Sequence, residues 1–184
     1  MKKFLFVLLF ILIGCRDIVL PANHYTVYVD PAFMTYTDKV INNIQQWSDT
    51  ATEYDTPMYF TFILKKKDCF KECVAGEFSI SPIEPVPLLQ LASQFADPAD
   101  IIGIAIRNLD DDHCSAYVLD DLSSDTERAT TVKHEAGHCL GLHHTGPGTI
   151  MFPIFGKDQA KDVSCVDIQQ LAKIRNEIIP TCPN

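Results

Sequence analysis

The last third of the sequence contains three histidines whose spacing predicts a catalytic metal site. His134 and His138 are four residues apart, so on a helix their imidazole rings project from one face, one turn apart. Gly141 can adopt the left-handed backbone conformation that ends a helix, and the chain reversal would bring His144 up as a third ligand. Three protein ligands leave a fourth position open, which is typical of a catalytic zinc ion and not of a structural one.

Glu135 follows the first of these histidines and is predicted to be the catalytic residue. Its position on the helix prevents it from binding the metal in the same geometry, but its carboxylate can reach a water molecule beside the metal and act as a general base. His143 is an alternative third ligand; the spacing favours His144, and His143 is expected to face solvent or a substrate cleft. His24 and His113 have no spacing relation to the site and are expected to have no part in it.

The extended pattern is specific. Its five fixed positions would occur by chance in a chain of this length in about one case in ten thousand at average composition. Four of the six histidines lie between positions 134 and 144. A helix that merely carries surface histidines is therefore the weaker interpretation of this segment.

The first residues predict a targeting segment. Lys2 and Lys3 precede an unbroken apolar run of ten residues, 4–13, which is too short to span a bilayer and is typical of a signal-peptide core. Gly14 and Cys15 follow, an arrangement that resembles a bacterial lipobox, in which the cysteine is lipidated and becomes the new N-terminus. The alternative is an ordinary signal peptide that carries a cysteine near its cleavage site.

These features divide the chain into a lipoprotein signal peptide at 1–14, a short tether at 15–24 and one domain at 25–184. With 184 residues, 47% of them hydrophobic and 21% charged, the chain is long and apolar enough for one folded domain. We expect an exported monomer, anchored by lipid to the cell membrane or the outer membrane and facing the periplasm or the exterior. The net charge of -9 argues against a nucleic-acid partner, which would require a basic face.

The cysteines other than Cys15 predict up to three disulfides, because an even number in an exported chain usually pairs. Cys69 and Cys73 are close enough in sequence to pair locally, and a bond between Cys165 and Cys182 would pin the C-terminus. The sequence leaves the pairings open. The cysteines concerned are Cys69, Cys73, Cys114, Cys139, Cys165 and Cys182.

The elements that must position the site are predicted from the periodicity of apolar residues. In the first half of the chain, alternation predicts a strand at 25–29, and an apolar run after a proline predicts another at 58–64. Between them, helical spacing predicts a helix over 37–50, with Thr37 and Asp38 as its N-terminal cap.

The second half of the chain alternates between short strands and helices. Three prolines within 81–87 indicate a surface loop, and the continuous apolar run 101–106 is typical of a strand buried on both faces. An acidic cluster at 110–112 has the chemistry of a hard-cation site, but a polar turn between strands is the favoured interpretation. The remaining predicted elements are a short helix at 88–95, a strand at 115–119, the metal-binding helix at 126–140 and a closing helix at 164–178 that Pro180 ends.

The motif HExxHxxGxxH followed by a methionine resembles the signature of the metzincin zinc metallopeptidases. In this chain the methionine is Met151, within the run Thr-Ile-Met-Phe-Pro at 149–153. The resemblance is closest to the matrixins, whose turn reads Met-Tyr-Pro and whose helix reads His-x-Leu-Gly-Leu, as residues 138–142 do here. It rests on the motif residues and the order of the elements.

This resemblance implies a fold and the roles of further residues. The fold is an α+β, metzincin-like catalytic domain with a twisted mixed five-stranded sheet, one antiparallel edge strand, a zinc-binding helix and a C-terminal helix. Met151 is expected to pack beneath one catalytic Zn²⁺ ion, and Phe152 and Pro153 to form a wall of the pocket for the side chain after the scissile bond. The strand at 115–119 is expected to be the edge strand that pairs with an extended polypeptide substrate.

The activity implied is that of a zinc-dependent endopeptidase. One alternative is a non-catalytic, zinc-containing surface lipoprotein that binds a partner, and another is a hydrolase of non-peptide amides. The presence of Glu135 argues against the first alternative, because a protein that only binds the metal does not need this carboxylate. No propeptide is expected between Cys15 and the first strand, so any latency would have to come from elsewhere, for example from a separate inhibitor.

Overall fold

Five strands form one mixed sheet. The structure, a computed structural model, describes residues 23–92, 102–108, 113–122, 124–153 and 158–183. The strands are β1 (His24–Val29), β2 (Tyr59–Leu64), β3 (Glu77–Ile83), β4 (Gly103–Asn108) and β5 (His113–Leu119). Their order is β2-β1-β3-β5-β4. All neighbours pair in parallel except β4, which is antiparallel to β5.

In the described ranges, five α-helices accompany the sheet, and a 3-10 helix, Pro31–Tyr36, precedes the first of them. The α-helices are α1 (Thr37–Glu53), α2 (Cys69–Glu72), α3 (Pro85–Ala92), α4 (Asp125–Cys139) and α5 (Cys165–Ile174). The predicted class, α+β with a mixed five-stranded sheet and one antiparallel edge pair, is confirmed. The metal motif lies on α4 and the turn after it, as predicted.

The core lies between one face of the sheet and the helices α1 and α4. Trp47 on α1 is fully buried, and its indole N–H donates to the Lys133 carbonyl of α4 at 3.1 Å. This bond joins the two helices directly beneath the metal motif. The core side chains include Val27, Val29, Phe78, Ile80, Ala116 and Val118 from the strands and Ile44, Trp47, Val132 and Ala136 from the helices.

The edge strands are β2 and the antiparallel β4, so the expectation that residues 115–119 form the edge is wrong. Strand β5 lies between β3 and β4 and pairs with both. The expectation that 101–106 is buried on both faces is also wrong, because residues 102–107 are all only half-buried. A run of apolar residues indicates burial of the two faces of a strand. It does not indicate whether the strand lies at an edge of the sheet, because that depends on the order in which the strands pair.

Strand β3 occupies part of the segment 81–87 that was predicted to be a loop. It pairs with β1 only as far as Ile80, whose carbonyl accepts the Asp30 N–H at 3.0 Å. Strand residues two apart face the same neighbour, so Pro82 faces the β1 side just beyond the last pair. Its missing N–H therefore costs no hydrogen bond of the sheet, and the strand tolerates the proline.

Helix boundaries also differ from the predictions. Thr37 and Asp38 lie in the first turn of α1, whose N-cap is Tyr36. Asp30 caps the preceding 3-10 helix instead, because its carboxylate accepts the Ala32 N–H at 2.9 Å. Helix α3 begins three residues before the predicted start at 88, with a proline in its first turn.

Helix α5 ends at Ile174, four residues earlier than predicted. Asn176 adopts a left-handed conformation, with φ 55°, and this breaks the helix well before Pro180. Residues 93–95 of the predicted short helix and the acidic cluster at 110–112 lie outside the described residues.

The prediction of up to three disulfides is confirmed. Two of the bonds, Cys69–Cys73 and Cys165–Cys182, are those that the sequence suggested. The third, Cys114–Cys139, joins β5 to the last residue of α4. In the described ranges no helix is both long and apolar enough to cross a membrane. The predicted signal peptide and Cys15 fall outside these ranges.

Candidate active site

Helix α4 presents the first two histidines of the motif. The Ser124 hydroxyl caps the helix by accepting the Glu127 N–H at 3.1 Å, which satisfies one of the unpaired donors of the first turn. His134 and His138 project from the same face one turn apart, and their ring centroids are separated by 4.7 Å. The local helix geometry therefore accounts for two of the three predicted ligands.

A glycine turn brings the third histidine to the other two. Gly141 has φ 103°, its N–H donates to the His138 carbonyl at 2.9 Å, and the Leu142 N–H donates to the Gly137 carbonyl at 3.0 Å. These two bonds form a Schellman motif, the common helix end built on a left-handed glycine. The chain then turns back, and the ring centroid of His144 lies 4.8 Å from that of His138.

The three imidazoles meet at their Nε2 atoms. The Nε2 atom of His138 lies 3.1 Å from that of His134 and 3.2 Å from that of His144. On the far side of the rings, Nδ1 of His134 donates to the Ile150 carbonyl and Nδ1 of His138 donates to the Leu142 carbonyl, each at 2.8 Å. In a neutral imidazole whose Nδ1 donates, Nε2 carries the lone pair. The lone pairs of His134 and His138 are therefore directed at a common point.

This set of donors fits a zinc ion. Unprotonated nitrogens that face one another at 3.1 and 3.2 Å repel unless a cation lies between them. Tetrahedral zinc with Zn–N distances of about 2.0–2.1 Å requires nitrogens about 3.3–3.4 Å apart, close to the separation observed. Within the described ranges, His134, His138 and His144 form the one cluster of three or more potential ligand groups, with all ligand atoms within 4.8 Å.

Burial keeps His134 and His138 in the neutral form. It lowers the pKa of His134 to about 3, with a contribution from His138, and it lowers the pKa of His138 to about 4. The pKa of His144 is also lowered, by burial and by the neighbouring His143. A metal ion binds the neutral imidazole. At neutral pH, metal binding therefore does not require these rings to release protons.

Glu135 lies beside the ligands with its carboxyl group buried. The residue is 5% exposed, and its Oε2 atom has no hydrogen-bond partner among the described residues. Burial raises the pKa of this carboxyl to about 8. A cation held by the histidines would favour the ionised form again, because an opposite charge nearby lowers the pKa. A buried carboxyl with a free acceptor is costly, and such groups concentrate at functional sites.

Strand β4 passes directly over this carboxyl. A Cβ atom built on Gly103 would lie 2.7 Å from Oε1 of Glu135 and 2.6 Å from Cγ2 of Thr131. Such distances are too short for a side chain without movement of its neighbours. The edge strand and the catalytic helix are therefore in close contact at the position of the candidate base.

Met151 packs against α4 where Gly137 leaves room for it. The methionine is fully buried, and a Cβ atom on Gly137 would collide with its sulfur and lie 2.9 Å from Cζ2 of Trp47. The helix and the methionine turn can approach this closely only because residue 137 has no side chain. Phe152 is half-buried and Pro153 is exposed, and their role as a pocket wall stays a prediction.

Two polar residues that the sequence analysis did not single out support the methionine turn. Asp167 on α5 accepts the N–H of Ser164 at 2.9 Å and lies 3.5 Å from the N–H of Ile150. Gln159 donates to the carbonyls of Ile150 and Phe152, both at 3.1 Å. The spacing Ser-x-x-Asp at 164–167 is a capping-box signal that identifies Asp167 as a cap, whereas no local pattern identifies Gln159.

The other histidines are not members of the converging set. His143 is exposed and is not part of the converging set. His24 is on β1, with a ring nitrogen 2.8 Å from the hydroxyl of Thr61. His113 is buried in β5.

A mixed five-stranded sheet with one antiparallel edge pair, and three histidines that converge where a helix ends in a glycine turn, define a metzincin-like zinc metallopeptidase domain. A sequence profile of the matrixins, peptidase family M10, matches residues 34–175. The chain belongs to the matrixin family. It is accordingly a zinc metallopeptidase by family, and this membership implies a polypeptide substrate. A search of curated proteins finds no match for the chain.

Proposed function

We propose that this protein is an exported, lipid-anchored endopeptidase in which Glu135 is the general base. The observation that carries the proposal is the convergence of three histidine Nε2 atoms beside a buried carboxyl with a free acceptor oxygen. His134, His138 and His144 would hold one Zn²⁺ ion. When bound, zinc supplies a Lewis acid that polarises a carbonyl and lowers the pKa of a water molecule.

Glu135 is the residue that would move the proton. Its carboxylate takes a proton from the attacking water and passes it to the leaving amine. His134 and His138 take no part in this transfer, because Nδ1 of each donates to a backbone carbonyl and Nε2 of each would bind the metal. Burial of Glu135 raises its pKa and a bound cation would lower it again. A group that must both accept and release a proton works best with a pKa near the working pH, where these opposing effects can place it.

The outer edge of β4 supports an extended substrate. In the described part of the chain, β4 pairs with β5 on one side only, and its Gly103 lies against Glu135. A polypeptide added to this edge as a further strand would run past the general base, with Phe152 and Pro153 as a wall for the next side chain. Because an added strand continues in both directions, this arrangement favours cleavage within a chain over cleavage at its end.

Substitution of Glu135 by Gln tests the assignment of the base. The variant keeps the shape of the side chain but removes the proton acceptor, so kcat/KM for a casein-derived peptide should fall by about 10²- to 10⁴-fold. Zinc content, measured on the same samples, should not change. Wild-type protein treated with a chelator is the second inactive reference.

Equal cleavage by wild type and Glu135→Gln would show that the mechanism is wrong. Zinc binding by wild type with no cleavage of any peptide in a diverse library would favour the alternative function, a surface lipoprotein that binds a partner. Cleavage of small amides but not of peptides would favour a non-peptide hydrolase.

The N-terminal sequence and the disulfides support export and anchoring. Three disulfides are typical of proteins in an oxidising compartment, and Cys15 follows an apolar run in the manner of a lipobox. Cys15→Ser should move the protein from the membrane fraction to the soluble fraction of its host, as measured by fractionation and immunoblotting. Unchanged membrane association would exclude a lipid on Cys15.

A further inference from the structure

The segment that returns after the methionine turn is fastened to the turn on both sides of Gln159. The Asp158 carbonyl accepts the N–H of Gly148 at 2.6 Å, and the Ala160 N–H donates to the carbonyl of Thr149 at 3.2 Å. These bonds hold the backbone of residues 158–160 alongside residues 148 and 149. The position of Gln159 is therefore fixed by its two neighbours, and its side chain reaches the turn from a defined place.

The side-chain amide of Gln159 makes two bonds to the turn. Nε2 lies 3.1 Å from the Ile150 carbonyl and 3.1 Å from the Phe152 carbonyl, so each of its two N–H groups has an acceptor. The reversed amide would place an oxygen against two carbonyl oxygens, so the two carbonyls determine which end of the amide faces them.

One of these carbonyls also orients a metal ligand. The Ile150 carbonyl accepts Nδ1–H of His134 at 2.8 Å, and Nε2 of Gln159 lies 3.5 Å from that same Nδ1. Both donors therefore converge on a single acceptor. The other carbonyl belongs to Phe152, at the predicted pocket wall.

We propose that Gln159 is a positioning residue for the metal site and for the adjoining wall. It holds the Ile150 carbonyl in the direction that directs Nε2 of His134 at the metal, and it ties that carbonyl to the backbone of Phe152. This inference rests on the proposed function, since it takes His134 to be a zinc ligand. Partners that orient metal-ligating histidines typically contribute about 10- to 100-fold in metal affinity.

The first test compares Gln159→Met with a matched control. Methionine is unbranched and similar in length but donates no hydrogen bond. Gln169 on α5 is the control position, because its Nε2 also donates to a backbone carbonyl, that of Pro180 at 2.8 Å, and not to a residue of the metal site. The affinity of the full-length protein for Zn²⁺ alone is measured by competition with a chromophoric chelator, together with the melting temperature of the metal-free form.

The dissociation constant for zinc should rise about 10- to 100-fold in Gln159→Met and by less than about twofold in Gln169→Met. Metal-free melting temperatures should fall to a similar extent in both variants, because each loses part-buried hydrogen bonds of a side-chain amide. A zinc affinity of Gln159→Met equal to that of wild type would overturn the inference, as would an equal loss in both variants. If wild type itself binds no zinc, the proposed function falls and this inference falls with it.

A second measurement examines the wall. Peptides that differ only in the residue after the scissile bond are cleaved at saturating zinc by wild type and Gln159→Met. The variant should discriminate less among these residues, mainly through a higher KM for the preferred one, while Gln169→Met keeps the wild-type ranking. If Gln159→Met ranks the peptides as wild type does and with the same KM values, Gln159 does not position the pocket wall, and that part of the proposal is wrong.

Discussion

At the scale of single residues, Gly137 is the point where α4 meets the methionine turn. The residue lies between His134 and His138 in sequence, and the space that its side chain would need is filled by the Met151 sulfur and by Trp47. A buried contact of this kind transmits any shift of the turn to the histidines on either side of it. Protein interiors are packed tightly enough that one added methyl group is felt.

Gly137→Ala should destabilise the protein by about 1–3 kcal/mol, because an added methyl group in a filled core forces its neighbours to move. Urea unfolding of the metal-free protein measures the effect, and zinc affinity should weaken in parallel. The matched control is Gly146→Ala, since a Cβ atom at Gly146 meets nothing within 4 Å and should change stability by no more than about 0.5 kcal/mol. Equal stability of the two variants would contradict this view of Gly137.

The converging histidines were accessible to sequence analysis because the geometry that joins them is local. His134, His138 and His144 lie within one helix end and one turn, and helical periodicity with a left-handed glycine fixes their relation. The supporting residues were not accessible in the same way. Gln159 acts through hydrogen bonds to a segment several residues away, and a lone glutamine in a loop has no pattern that predicts such contacts.

At the scale of elements, the predictions depended on how far each feature reflects local sequence. Strands β1, β2 and β5 and helices α1 and α4 were predicted close to their observed positions, because each leaves a local signal: an apolar period in β1 and α1, an apolar run in β2 and the metal motif in α4. Strand β3 was missed because Pro82 is a signal for a loop. In the structure this proline is tolerated within the strand, because it lies beyond the last residue pair between β3 and β1. The prediction of the edge strand was wrong because the composition of a strand does not indicate which distant strands it pairs with.

The Cys114–Cys139 disulfide connects two of these elements, β5 and the end of α4. It joins residues 25 positions apart, whereas Cys69–Cys73 spans only 4. In the chain-entropy description, closing the longer loop stabilises the fold by about 3.5 kcal/mol and closing the shorter one by about 2 kcal/mol. The longer cross-link also lies immediately after His138, so it constrains the end of the helix that carries two ligands.

Replacement of Cys114 and Cys139 together by serine should therefore lower the free energy of unfolding more than replacement of Cys69 and Cys73. Denaturant unfolding of the two double variants measures the difference directly. Zinc affinity should fall only in the first variant, because only that cross-link adjoins the histidines. If the short-range pair proves the more important for stability, the loop-length argument does not describe this protein.

At the scale of the whole molecule, metal binding and folding are expected to be linked. The three histidines come together only in the folded chain, so zinc binds the native state in preference to the unfolded state. A ligand of this kind stabilises the fold by about 2.7 kcal/mol when present at a hundred times its dissociation constant. The effect belongs to the entire domain and not to the site alone, since unfolding of this size of domain is usually cooperative.

Removal of the metal by a chelator should lower the melting temperature by about 5–10 °C, given about 2–4 °C per kcal/mol for a domain of this size. Differential scanning calorimetry with excess zinc, with chelator, and with magnesium in place of zinc measures the effect. Magnesium should not restore stability, because it prefers oxygen ligands. Identical melting curves under all three conditions would show that the histidine cluster binds no zinc.

The acceptors that orient His134 and His138 are both main-chain atoms, the carbonyl oxygens of Ile150 and Leu142. No side-chain replacement at either position can delete such an atom, so the orientation of these two rings is insulated from most point mutations. A mutation can change the orientation of these rings only if it bends the backbone or alters a neighbouring side chain that binds the same carbonyl. A designer who wishes to retune this centre for another metal would therefore have to redesign the loop, because exchanging Ile150 or Leu142 for another residue leaves both acceptor carbonyls in place.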